Sequence, residues 1–325
     1  MKFYAWLLIL LSFVLSGLAW PPPPEKARIE YLYSFRTPED LKIPKKTSAR
    51  VFDFIFGKGK TDVDVLVRPQ GIFAENERML VTDTFLGCVH VFDQKEKKYF
   101  KIKKAGKDAL LSPVGIVSDA HGTIYVSDSI LKKILMFTAK GDFIGELGKG
   151  RFLRPTGLAI DNISSRIYII DTLDNSISVF SLDGAFLLKF GAPGAKAGSF
   201  NYPTYAAVGK NGDVYVVDSL NFRVQIFSKE GKFKTTFGKM GRAPGSFAMP
   251  KGIAIDSEQN IYISDASFDN VQIFDGTGNL LLFFGESGNG AGEFWLPAGI
   301  YIDVDDKIYA ADSYNSRVMV FKLLK

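Results

Sequence analysis

Six aspartates recur along the chain, at Asp83, Asp128, Asp171, Asp218, Asp265 and Asp312, each at the end of a short apolar run. A ring of carboxylates could hold a divalent cation or supply acid–base chemistry. Their setting points elsewhere. Each stands just before a turn, where an Asp side chain accepts backbone N–H groups. Arg223 and Arg317 follow Asp218 and Asp312 closely enough to form charge-assisted pairs within one unit. Repetition in every unit also favours architecture over chemistry, because a site needs asymmetry. These eight residues are therefore expected to be structural, with no catalytic or metal role. A second acid set, Asp119, Asp161, Asp256 and Asp303, has Glu75 in the first unit and Gly209 in the fourth. Each opens a hairpin, where turn geometry alone favours Asp. Asp303, Asp305 and Asp306 cluster, but the run is too short for a calcium loop.

The chain has one cysteine and two histidines in 325 residues. That excludes an intramolecular disulfide framework, Cys₄ and Cys₂His₂ zinc sites, and c-type haem attachment. Cys88 reads as a small buried apolar residue, with no histidine base at a recognisable spacing. His90 and His121 read as structural or solvated. Gly-rich stretches at 191–202, 238–249 and 285–296 are followed by strands, whereas a phosphate cradle needs a helix. They are expected to connect units, with Phe200, Phe247 and Phe294 as packing anchors. No cofactor is expected.

The elements that position these residues come from a repeat. A proline two residues before a glycine recurs at Pro69, Pro113, Pro155, Pro203, Pro250 and Pro297, with Tyr205 in the glycine's place in the fourth unit. The spacings are 44, 42, 48, 47 and 47 residues. Each unit then carries the Asp-terminated run and a strand ending in Phe92, Phe137, Phe180, Phe227, Phe274 or Phe321. A fourth strand ends in Phe-Gly or Leu-Gly in units 2 to 5; in unit 1 residues 99–103 serve. Four short strands per unit of about 40–50 residues is the pattern of a propeller blade. The fold class is all-β, a six-bladed β-propeller of four-stranded blades.

The last unit stops after its third strand, so an N-terminal strand must complete it and close the ring. Val51 to Phe56, followed by Gly57, repeats the fourth marker and is expected in that place, with Ile29–Phe35 as a further strand at the outer edge. The expected organisation is a signal peptide over 1–19, a Pro-rich linker and edge segment over 20–50, and the propeller over 51–325.

In its Pro-x-Gly-Ile, Tyr-x-x-Asp-Ser and Asn-x-Arg-Val-x-x-Phe patterns the chain resembles the NHL-repeat family of six-bladed β-propellers, in its exported bacterial form. The fullest copy is Tyr215 to Phe227, and Tyr309 to Phe321 follows it with Asn315 and Arg317. Blades 1 and 2 have Leu86 and Leu131 in place of the Asn, and blades 1 and 3 lack the Arg. The resemblance implies a binding scaffold. It also brings two alternatives: a hydrolase or lyase, lactonase-like, at the central channel near Gln70, Thr156, Thr204, Tyr205 and Lys251, and single-stranded RNA binding on a basic face.

Lys2, an apolar stretch to Ala19 and the small residues Gly17 and Ala19 read as an export signal cleaved before Trp20. An uncleaved membrane anchor is the alternative. Export places the protein in the periplasm or outside the cell and argues against nucleic acid. Residues 26–107 hold 18 Lys+Arg against 11 Asp+Glu, so the net charge of +5 resides in the first third. The lysines from Lys95 to Lys107 read as a guard on an outer strand, with anionic lipid as the alternative contact. Membrane contact is expected only there or through the signal. The expected function is a monomeric, non-catalytic scaffold that binds an envelope protein. Its candidate face carries Phe85, Phe222, Phe268 and Tyr314 at loop tips and Gln70, Tyr205 and Lys251 at the channel.

Overall fold

The computed structural model describes residues 18–44 and 64–325. Alternating apolar side chains, β-branched residues and turn glycines produce six antiparallel sheets of four or five strands, and no α-helix occurs among the described residues. Blade 1 is Pro69–Glu75, Arg78–Asp83, Cys88–Asp93 and Lys98–Ile102. Blades 2 to 5 repeat that order from the inner strands Pro113–Ser118, Pro155–Asp161, Pro203–Val208 and Pro250–Ile255. The outer strand of blade 1 carries Lys98 in solvent, but Lys101 is only 6% exposed and pairs with Asp64 at 3.1 Å.

Blade 6 corrects the expectation about closure. Its sheet runs Ala19–Trp20, Ile29–Phe35, Arg317–Leu323, Lys307–Asp312, Pro297–Ile302 from rim to axis. Ile29–Phe35 thus takes the place assigned to Val51–Phe56, which lies outside the described residues. Its register sets Ile29 against Leu323 and Phe35 against Val318. The reason is burial at both ends of the strand. Ile29 and Phe35 are fully buried, with Phe35 edge-on to Phe92 of blade 1 at 5.2 Å. A Phe-Gly ending matches the repeat, but interior packing selects the strand. The further outer strand is Ala19–Trp20, and Trp20 packs on Phe284 and Phe321 at 5.8 and 5.9 Å.

Blades interlock through glycine. A Cβ on Gly115 would lie 2.2 Å from the Thr156 carbonyl oxygen of the next blade; on Gly71 and Gly252 the equivalent distances are 2.3 and 2.5 Å. A hydroxyl one residue before the repeat Asp stitches the same junction. Thr82 Oγ1 accepts the Gly71 N–H at 2.7 Å and donates to the Val114 carbonyl at 2.7 Å. Ser127 and Ser264 do the same in blades 2 and 5. In blades 3 and 4 that position is Ile170 and Val217. There Thr156 and Thr204 on the inner strand donate to the next blade's carbonyls instead, at 3.0 and 2.8 Å. Gly115→Ala is expected to cost about 1–3 kcal/mol, because the carbonyl it meets is anchored backbone. Urea unfolding at equilibrium measures it; an unchanged midpoint would show that the junction is slack.

Between blades the inserted phenylalanines Phe200, Phe247 and Phe294 are fully buried. They pack on the third-strand Phe227, Phe274 and Phe321 at 5.4, 5.5 and 5.9 Å, the first two pairs tilted and the third stacked. Burying aromatic pairs of this kind supplies much of the area that stabilises the ring.

Candidate functional site at the mouth of the central channel

The repeat aspartates are occupied. Asp83 accepts the N–H groups of Val67, Arg68, Phe85 and Leu86 at 2.7–3.1 Å. Asp128 receives Leu111, Ser112, Ile130 and Leu131 in the same way. Asp171 and Asp265 hold equivalent turns. Each carboxylate thus ties the loop before the inner strand to the turn after the second strand. In blades 4 and 6 an arginine joins. Arg223 Nε donates to Asp218 at 2.8 Å, and Arg317 Nε to Asp312 at 2.7 Å. Arg317 also donates to the carbonyls of Asn289, Gly290 and Glu293 at 2.7–2.9 Å. Asp119, Asp256 and Asp303 order their hairpins and accept Tyr125, Tyr262 and Tyr309 hydroxyls at 2.9–3.2 Å. Asp306 accepts Ser257 and pairs with Lys325 at 2.9 Å.

One constellation was not legible in the spacing. Cys88 Sγ lies 3.4 Å from His90 Nε2, which is 3.7 Å from Asp83, and His90 Nδ1 contacts the Tyr99 hydroxyl at 2.8 Å. Cys88 is buried, as expected, but a histidine does stand at a usable spacing from it. A strand places residues i and i+2 on one face, so the useful spacing is two. Asp83, Cys88 and His90 are fully buried and Tyr99 is half-buried, and burial holds His90 below the ordinary histidine range, hence neutral. His90 occupies the position of Gln225, which donates to Asp218 at 3.0 Å. It is therefore the blade 1 partner of the repeat Asp rather than the base of a nucleophile. Among the described residues no group of three His, Cys, Asp or Glu side chains could hold a metal ion.

The channel is divided in two. On the side where the inner strands end, a cavity of about 320 Å³ is lined by apolar residues such as Ile116, Leu158 and Ile300, with Glu75 and Asp119 at its margin. On the side where they begin, a cavity of about 490 Å³ is lined by Gln70, Thr156, Thr204 and Lys251 together with Arg68 and Arg154. Tyr205 lines both. It stands where other blades carry the junction glycine, and its hydroxyl is buried with no hydrogen-bond partner among the described groups. Gln70, Tyr205 and Lys251 are thus brought together. Burial holds the Lys251 ammonium below the ordinary lysine range. A larger fraction is then free amine at a given pH. Acetylation rate at Lys251 is therefore expected to rise with pH over a lower range than at the exposed Lys98; peptide mass spectrometry across a pH series reads the two profiles, and a Lys251 profile that lies at the same or higher pH would refute the desolvated setting.

The loop-tip candidates divide. Phe85 and Tyr314 are 66% and 46% exposed. Phe222 is half-buried against Val224 and Phe247 of the blade 4–5 core, and Phe268 is half-buried too. Trp295, which no repeat marker singles out, is 51% exposed and lies 5.5 Å from the Tyr314 ring.

A family model described as a 6-bladed beta-propeller matches residues 107–204, 208–269 and 257–325, more than half of the chain. Protein brain tumor of Drosophila melanogaster is 30% identical over 191 residues, covering 57% of this chain, which spans only 16% of that protein's length. Among solved structures, an auxiliary nutrient binding protein from Bacteroides thetaiotaomicron superposes with a TM-score of 0.64 at 12% identity, over 81% of this chain and 71% of that one. A gluconolactonase from Xanthomonas campestris gives 0.62 at 14%, over 80% and 87%. Virginiamycin B lyase from Staphylococcus aureus gives 0.58 at 15%, over 79% and 96%. At such identities these likenesses describe the fold.

Proposed function

The chain belongs to this six-bladed β-propeller family, and from that premise we propose that it is an exported, NHL-type binding scaffold of the cell envelope with no catalysis of its own. The observation that carries the reading is the apolar decoration of one face. Phe85, Ile130, Leu173, Leu220, Trp295 and Tyr314 are all exposed on the loops that surround the start of the inner strands. The opposite face exposes Ile163 and Val304 in its hairpins and, less fully, Phe143, Phe186 and Phe233 where the fourth strands begin. Apolar side chains gathered on one rim mark an interaction surface. The non-catalytic part of the reading is supported by the repeat carboxylates, whose oxygens are engaged by turn amides, and by the burial of His90. The partner is an envelope protein, reached from the periplasm or the cell exterior.

The test is stoichiometric co-purification from envelope extract with the wild-type chain and with Phe85→Ser, Trp295→Ser, Tyr314→Ser combined. Loss of a stoichiometric partner in the triple variant, at unchanged folding, supports the reading. No partner, or a partner retained by the variant, refutes it. Phe222 is left untouched because its substitution would disturb the core.

A further inference from the structure

The centre of the same face differs from its rim. Three cations line the mouth, Arg68, Arg154 and Lys251, and no carboxylate does. They come from blades 1, 3 and 5, alternate blades of the ring. None of the three forms an ion pair with a described residue. The two guanidinium groups are braced by aromatic faces, Arg68 over Tyr314 at 5.1 Å and Arg154 over Tyr202 at 5.6 Å. Bracing of this kind orders an arginine without neutralising it.

The hydroxyls of Thr204, Thr172 and Ser129 at the mouth are committed, whereas that of Tyr205 has no partner among the described groups. Thr204 Oγ1 donates to the Lys251 carbonyl, Thr172 Oγ1 to Pro203 and Ser129 Oγ to Pro155, at 2.7–2.8 Å. Gln70 Nε2 donates to Ser313 at 2.9 Å. The donors left for a guest are then the Lys251 ammonium, the guanidinium N–H groups of Arg68, those of Arg154 beyond the one given to the Tyr202 hydroxyl, and the Tyr205 hydroxyl. An array of cations in a partly enclosed cavity, with no anion to balance it, carries a desolvation cost that a bound anion reverses. At Lys251 burial by itself disfavours the charged form. The other cavity carries the opposite sign, with Glu75 and Asp119 at its margin. The channel is thus polarised along its axis, with Tyr205 between the halves.

We propose that this mouth is a binding site for a small, multiply charged oxyanion, a polycarboxylate or a phosphorylated small molecule, held between Arg68, Arg154 and Lys251. The shared chemistry is two or more oxyanion groups presented to cations on alternate blades. Arginine forks accept either group in bidentate fashion, and a cavity of about 490 Å³ accommodates a ligand larger than a single inorganic ion. The inference rests on the reading of this face as the binding face. It differs from it in placing a small ligand at the centre, where the partner's apolar contacts are at the rim.

The experiment is calorimetric titration of the exported chain with citrate and with inorganic pyrophosphate, each at low ionic strength, with glycerol as the neutral control. Saturable one-to-one binding of either anion is expected, weakening as salt is raised. Binding of citrate alone assigns the polycarboxylate class, and binding of pyrophosphate alone the phosphorylated class. Lys251→Met and, separately, Arg154→Gln should each lower affinity about tenfold or more, while Glu75→Gln in the far cavity should leave it unchanged. Circular dichroism establishes that each variant is folded, and if one is not, the other carries the test. Failure of both anions to bind at millimolar concentration overturns the proposal, as does equal binding by wild type and both cation variants. Either failure leaves the co-purification result standing when it is read from Phe85→Ser and Trp295→Ser alone, because these two lie outside the mouth whereas Tyr314 lines it.

Discussion

Arg317→Ala is expected to destabilise the propeller by about 3–5 kcal/mol, the usual cost of removing one partner of a buried ion pair. Asp312 is fully buried, and Arg317 is its nearest cation at 2.7 Å. The same guanidinium satisfies three loop carbonyls. Without it, the carboxylate loses its cation and keeps only Asn315 and the Trp295 amide, and three carbonyls lose a donor. The pH dependence has a definite sign. Burial already raises the Asp312 carboxyl above the ordinary carboxylate range, and Arg317, with Asn315 and the Trp295 amide, opposes that rise. A group raised in the folded state favours folding when protonated, and that contribution is lost as pH rises through its folded value. Removing Arg317 raises the folded value further. The loss in Arg317→Ala should therefore be largest at neutral pH and shrink as the solution is acidified into the carboxylate range. Denaturant unfolding of wild type and variant at both pH values tests this. A loss below about 1 kcal/mol at neutral pH, or one that grows on acidification, would contradict it.

The second large effect is predicted at the closure. A chain covering 20–325 is expected to unfold cooperatively, whereas one covering 51–325 should lose that cooperativity or aggregate. The shorter chain lacks Ile29–Phe35, so Arg317–Leu323 becomes an unpaired edge. It also loses the buried Ile29 and Phe35 side chains and the Phe35 contact with blade 1. Phe35→Ala in the longer chain should by itself cost about 3–5 kcal/mol, the range for deleting a buried phenylalanine. Thermal unfolding and size-exclusion chromatography distinguish the outcomes. A 51–325 chain with the same midpoint as 20–325 would mean that a strand other than Ile29–Phe35 can close the ring.

Several features were legible in the chain because they are local. Six Pro-x-Gly units and six terminal Asp residues were enough to assign six blades, since each marker belongs to a turn or strand end whose chemistry involves a few neighbouring residues. The closure was legible only in principle. Val51–Phe56 carries the Phe-Gly ending of an outer strand, but pairing across the ring is decided by which side chains fill the gap between blades 6 and 1, and Ile29 and Phe35 fill it. The Cys88–His90–Asp83 contact escaped because a strand brings i and i+2 together, a spacing too common in sequence to stand out.

By itself, the sequence determined the all-β repeat, the number of blades, the need for an N-terminal closing strand and the structural employment of the repeat aspartates. The tertiary structure alone decided which strand closes the ring and that Tyr205 separates two cavities of opposite charge. It also decided that Arg68, Arg154 and Lys251, spread over 184 positions of chain, line one mouth. The physical reason is range. Turn and strand preferences act over a few residues, whereas the meeting of alternate blades at an axis exists only once the ring is closed.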